Sequence, residues 1–282
     1  RAWHKACLQR FPPPPPDQWA GRKGVSVATA TAHWLEAPKT CGAEIDLTKA
    51  FDLVNHRVAI RALSRANINP RVTFLLAMQW RAERICMTNN TPSRPLRPSR
   101  GIPQGCPISP FVLASVLQPW STTVQRAVPN ASTWAYVDDR SIAIRPHNRR
   151  RRRRSAQNDH NDLNRALQIT TTFDTDIGQS ENLSKRQIWG PLGSQQVEHL
   201  GTTATPLSST TPLQPRNAYA KAYTLCSQIP HLPGGYVRRL QAAISYVRPQ
   251  FTWCAPLHSQ PPADLTAGLF QCITNRRSNW WC

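Results

Sequence analysis

Trp134-Ala135-Tyr136-Val137-Asp138-Asp139-Arg140-Ser141-Ile142-Ala143-Ile144 sets two adjacent acids between two runs of apolar and β-prone residues. The local pattern reads as strand, two-residue acidic turn, strand. Such a hairpin carries both carboxylates at its tip, where each raises the cost of ionising the other. The chain holds 35 Lys+Arg against 15 Asp+Glu, so acids are scarce, and two of them side by side call for a cation. Hard carboxylate oxygens suit Mg²⁺. The stretch points to a catalytic sheet and to phosphoryl transfer. Taken alone it is a weak signal, because an isolated Asp-Asp turn is more often solvated than catalytic.

The surrounding composition supports a polyanionic partner. The 282 residues carry a formal net charge of +20. Removing the run Arg149 to Arg154 still leaves +14, so the excess is spread along the chain, as in a protein that lies along nucleic acid. An anionic membrane surface is the other candidate. There is no run of 18 apolar residues and no secretory leader, so no membrane span is expected. The eight cysteines form no Cys-x-x-Cys pair and read as buried or incidental thiols. Six consecutive arginines repel one another, and a solvated loop with nonspecific phosphate affinity is the plainer reading of that run.

Around the hairpin, residues 41–47 read as a strand ending in Asp46, and a helical pattern begins at Thr48 with Phe51, Val54, Val58 and Ala62 near one face. Further helices are expected at about 71–82, 110–127, 159–177, 216–228, 234–246 and 263–275, with β-type segments near 185–202. Residues 83–100 read as a hairpin or loop. Pro12 to Pro16 stand outside any core. If the strand of Asp46 neighbours the hairpin in one sheet, three carboxylates converge, and such a group can hold two Mg²⁺ ions.

Five segments in order now carry a resemblance. Glu44-Ile45-Asp46-Leu47-Thr48-Lys49-Ala50-Phe51-Asp52 resembles the first catalytic motif of reverse transcriptases, in the form typical of non-LTR (LINE-like) retrotransposons and their group II intron relatives. Gly101-Ile102-Pro103-Gln104-Gly105-Cys106-Pro107-Ile108-Ser109-Pro110 resembles the second motif and Tyr136-Val137-Asp138-Asp139 the third. Asn182-Leu183-Ser184-Lys185 is similar to the Asn-x-x-Lys motif that follows, and His199-Leu200-Gly201 to the Leu-Gly of the primer-grip hairpin. Gln18-Trp19-Ala20-Gly21-Arg22-Lys23-Gly24 looks like the segment that commonly precedes the first motif. The resemblance covers roughly residues 18–210.

The resemblance implies an α+β fold in the form of a right hand. Residues 1–40 would be partial fingers with a Pro-rich lead-in, 41–210 a palm with an antiparallel sheet and a fingers insertion, and 211–282 a helical thumb. It implies RNA-directed DNA polymerase activity that extends a primer 3′-OH on an RNA template. Asp46 and Asp138 would be metal ligands, with Asp139 assisting or ligating a second ion; the cofactor would be two Mg²⁺, with Mn²⁺ as a substitute. Leu47, Phe51, Gln104 and Gly105 would face the nucleotide, Phe51 screening the sugar 2′ carbon against a ribose hydroxyl. Without the motif, Phe51 reads as the first apolar residue of an amphipathic helix. Lys185 would protonate the departing pyrophosphate, and Leu200 and Gly201 would hold the primer. Partners would be an RNA template, a DNA primer or target DNA, and deoxynucleoside triphosphates; the compartment would be the nucleus. The family's basic finger residues are not found in the 17 residues before Gln18. A truncated remnant that binds nucleic acid without catalysis is therefore the competing expectation.

Overall fold

A computed structural model describes residues 17–20, 25–89, 91–146, 155–207, 214–215, 218–233 and 235–247. The arginine run, the polyproline stretch and the helix expected at 263–275 lie outside them. In chain order the elements are α1 (Val27–Glu36), β1 (Cys41–Ile45), α2 (His56–Arg65), α3 (Pro70–Arg81), β2 (Met87–Thr88), β3 (Thr91–Pro92), α4 (Ser109–Ala127), β4 (Ala131–Tyr136) and β5 (Asp139–Ile144). There follow α5 (Ala156–Asp176), a 3₁₀ turn (Leu183–Lys185), β6 (Gln187–Trp189), β7 (Val197–His199), β8 (Thr202–Ala204), β9 (Gln214–Pro215), α6 (Ala218–Gln228) and α7 (Tyr236–Ala242). The mixture of helices with antiparallel sheet is the α+β class expected from the sequence.

The chain divides into two units, one of residues 1–25 and 38–194, the other of 26–37 and 195–282. The first is organised by a four-stranded sheet in the order β4-β5-β1-β6, antiparallel throughout. Strand β1 lies inside this sheet: Cys41, Ala43 and Ile45 enter the apolar cluster on one face, while on the other Glu44 accepts from Ser141 Oγ and Gly42 lies where no side chain fits. A Cβ on Gly42 would stand 2.2 Å from the Trp189 ring and 2.3 Å from the Ile142 carbonyl oxygen. Helices α4 and α5 cover one face of the sheet, burying Trp120, Val124, Leu163, Ala166 and Leu167 against Ile142 and Ile144. Their buried positions recur every three or four residues, the spacing of a helix stripe.

A second cluster joins α2, α3 and α4. His56, Ala59 and Leu63 form the inner face of α2, and Thr73, Leu76 and Trp80 that of α3. Asn55 and Asn69 cap these helices by accepting from the backbone N–H two residues on, at 2.9 Å in each case.

The helix expected from Thr48 begins only at His56. Residues 48–53 are turns, Lys49 has a left-handed backbone (φ 46°), and carbonyls that a helix would use internally accept from elsewhere. The Phe51 carbonyl accepts from Ile102 N–H (2.9 Å) and the Val54 carbonyl from Gly101 N–H (2.8 Å). Apolar spacing alone could not distinguish a helix from a loop pinned by a distant segment.

The second unit contains α1, the small sheet β7-β8-β9, α6 and α7. Trp34 of α1 stacks on His199 of β7, with centroids 4.0 Å apart and planes 8° from parallel. Ala222, Cys226, Ile229, Ala243 and Val247 form its helical core. This unit takes residues 26–37 and 195–210, which the sequence assigned to fingers and palm. Among the described residues no helix is long and apolar enough to cross a membrane.

Candidate active site

The hairpin of β4 and β5 forms as expected, with a shifted tip. Tyr136 pairs with Asp139, so Val137 and Asp138 are the two turn residues and Asp139 opens β5. The expected Asp138-Asp139 tip is thus displaced by one residue. Two-residue hairpins need a backbone that continues the strand twist, often with φ above zero at the first turn residue. Val137 supplies it with φ 62°, uncommon for a β-branched residue.

Asp46 follows β1, whose Ile45 pairs with Arg140 of β5, so the ends of neighbouring strands deliver Asp46 and the Asp138 turn to the same edge of the sheet. Residues 180–182 run beside Asp46. Asn182 N–H donates to the Asp46 carbonyl (2.8 Å), and Thr48 N–H donates to that of Ser180 (2.8 Å). The 3₁₀ turn then closes with Lys185 N–H on the Asn182 carbonyl (3.0 Å) and places Lys185 Nζ 2.9 Å from Asp46 Oδ2. The short Asn-x-x-Lys motif therefore has a geometric meaning: its first residue docks the segment and its last reaches the acid.

Burial pushes the Asp138 carboxyl above the usual carboxylate range, the Asp46 charge adds to that rise, and the turn's backbone hydrogen bond and Lys185 oppose it. Asp46 and Asp138 thus feel one another and share one ammonium. Asp139 is exposed. Among the described residues no three or more His, Cys, Asp or Glu side chains form a closed metal cage. The expected convergence of three carboxylates is, in the structure, a pair with a third acid beside it.

The Gly101 loop lies against the turns after Asp46. Gly101 has φ 93°, and a Cβ there would stand 2.8 Å from the Asp52 carbonyl oxygen. Its own carbonyl is 2.7 Å from His56 Nε2. Gln104 Nε2 donates to both carboxylate oxygens of Asp52 (3.2 and 3.3 Å), and Gly105 takes φ 79° in open space. Phe51 is half-buried against the core beneath this loop. Leu47, assigned to the nucleotide from the sequence, buries its side chain in that core, which leaves only its backbone for a ligand. Leu200 and Gly201 form the β7–β8 turn with φ 47° and 78°, in the second unit.

Sequence reasoning missed several supporting residues. Asp52 ends the quoted Lys49-Ala50-Phe51-Asp52 motif, yet its bond to Gln104 crosses from one motif to another. His56 and the pair Arg140–Asp174 carry no signal in local sequence beyond a polar residue at an apolar position.

The family of reverse transcriptases (RNA-dependent DNA polymerases) matches residues 1–204. No curated protein matches the chain. Among solved structures, apo telomerase from Candida tropicalis is similar with a TM-score of 0.54 at 9% identity, covering 96% of this chain and 51% of that one. Candida tropicalis telomerase in complex with the TWJ fragment of telomeric RNA gives 0.52 at 11% identity, covering 82% and 40%. The chain therefore spans about half or less of those proteins. At such identities the likeness concerns the polymerase fold alone. The family match runs over most of the chain and takes in Asp46, Gln104, Asp138 and Lys185, so the protein belongs to the reverse transcriptase (RNA-dependent DNA polymerase) family.

Proposed function

We propose that the chain is the polymerase core of a non-LTR (LINE-like) retroelement, related to the group II intron enzymes, and that it extends a primer 3′-OH on an RNA template. The observation that carries this reading is the meeting of Asp46, Asp138 and Lys185 at one edge of the sheet. In the reaction the primer 3′ oxygen bonds to the α-phosphorus of a deoxynucleoside triphosphate. The bond from that phosphorus to the bridging oxygen breaks, pyrophosphate leaves, and the 3′-OH proton passes to solvent.

The donor set fits Mg²⁺, which takes one or two carboxylates plus substrate phosphates and water rather than a complete protein cage. Asp46 and Asp138 would hold it, with Asp139 adjacent for a second ion and Mn²⁺ as a substitute. When bound, the ions supply charge neutralisation at the attacking and leaving oxygens. The chain's own residues do the positioning: the Gly101–Gly105 loop and Phe51 shape the nucleotide side, and the Leu200-Gly201 turn holds the primer. Lys185, whose Nζ lies 2.9 Å from Asp46 Oδ2, would protonate the departing pyrophosphate. Lys185→Met is expected to lower kcat about 10²-fold while primer–template affinity, read by fluorescence anisotropy, stays within error.

The +20 charge supports binding to RNA and DNA, with affinity that falls as salt rises. A retroelement enzyme acting on chromosomal DNA would work in the nucleus, and a tagged chain confined to the cytoplasm would contradict that. The direct test is primer extension on an RNA template with an annealed DNA primer, deoxynucleotides and Mg²⁺. Templated product confirms the polymerase; a bound duplex with no product identifies a nucleic-acid-binding remnant.

A further inference from the structure

We propose that Gln18 is a positioning residue for the catalytic turn: its carboxamide holds both backbone polar groups of Val137 and thereby sets where Asp138 stands. Val137 N–H donates to Gln18 Oε1 (3.1 Å), and Gln18 Nε2 donates to the Val137 carbonyl (3.5 Å). Ala20 N–H also donates to Oε1 (3.4 Å). Two N–H groups on one oxygen fix which way round the amide lies. The side chain is only 4% exposed, so it acts where water does not compete.

The clamp matters because of what it grips. Val137 is one of the two turn residues and adopts φ 62°, a conformation that a β-branched side chain resists. Such a conformation persists where the surroundings over-determine it. Inside the hairpin the only ladder pair closing the turn is Tyr136 with Asp139. Gln18 adds a hold from outside the hairpin, one residue from Asp138.

Gln18 is itself anchored. Residues 17–19 lie beside β4 as a parallel partner, with Ala135 N–H on the Asp17 carbonyl and Trp19 N–H on the Ala135 carbonyl, each 2.8 Å. The Asp17 carboxylate accepts from Ser121 Oγ on α4, and Ser121 lies 2.8 Å from Thr133 Oγ1 on β4. The segment before the first motif thus has a function in this chain: it presents one amide to the strained residue of the turn.

This inference rests on the polymerase reading, and two measurements keep the two apart. Gln18→Met preserves length and bulk but cannot bond to Val137. In an active wild type, the variant is expected to lower kcat about 10²-fold by misplacing Asp138, with the nucleotide KM, duplex affinity and Tm nearly unchanged. Adding Val137→Gly, which adopts positive φ without strain, is expected to restore part of the lost kcat. By hydrogen exchange, the amide of residue 137 should exchange faster in Gln18→Met than in wild type, whether or not the wild type extends a primer. Undiminished kcat in Gln18→Met, a loss matched by falling Tm and duplex affinity and not relieved by Val137→Gly, or unchanged exchange at residue 137 would each overturn the proposal.

Discussion

Asp138→Asn is expected to reduce primer extension by at least about 10²–10³-fold, the usual cost of removing one preorganised charged group from a transition-state site. The same substitution should raise the Tm of the metal-free protein at neutral pH. The sign follows from the direction of the shift. Burial and the Asp46 charge put the folded-state pKa of Asp138 above its unfolded value. Above both values, ionisation therefore penalises the fold, and asparagine removes that penalty. As pH falls below the unfolded pKa the carboxyl is protonated in both states, and the advantage disappears. Added Mg²⁺ should stabilise the wild type and have less effect on the variant. Thermal melts in chelator and in Mg²⁺, from about pH 4 to 8, read this without any catalysis. A variant no more stable than wild type in chelator would mean that Asp138 is not strained by its surroundings.

Breaking the ion pair behind the hairpin should have the largest effect on stability. Arg140, the second residue of β5, has 0% side-chain exposure and grips Asp174 of α5, exposed by 2%, through two bonds of 2.9 and 2.7 Å. The guanidinium carbon lies 5.0 Å from the Trp120 ring centroid, and Trp120 Nε1 donates to Thr170 on α5 (2.9 Å). Asp174→Ala leaves a buried guanidinium charge without its partner, at a cost of about 3–5 kcal/mol. That is a large share of the roughly 5–15 kcal/mol that holds a domain together.

Arg140→Leu should behave differently. Burial pushes the Asp174 carboxyl up, and Arg140 opposes it, so without Arg140 the acid escapes its penalty by protonating. The destabilisation of Arg140→Leu should therefore shrink on acidification, fully below the unfolded carboxylate pKa, while that of Asp174→Ala should not. The double change Arg140→Leu/Asp174→Leu should recover most of the loss, because a buried pair is often replaceable by apolar residues. Urea melts of the three variants at neutral and acid pH separate these outcomes. Equal losses for both single variants at every pH would show that packing, not charge, dominates the site.

Local sequence was sufficient for the parts whose physics is local. Apolar, β-prone residues on either side of Asp138-Asp139 specified a hairpin, and helical patterning announced α4 and α5. The order of Asp46, Gln104, Asp138 and Lys185 along the chain was enough to bring in the family and its fold. Only the tertiary structure decided that the turn is Val137-Asp138, because hairpin register depends on which residues pair across strands. It also turned the apparent helix after Thr48 into a loop, through bonds from Gly101 and Ile102 that lie some fifty residues away. Leu47 in the core, Arg140 on Asp174 and Gln18 on Val137 were equally beyond reach. Each is a pairing between residues distant in sequence, and only the folded backbone brings such partners within bonding distance.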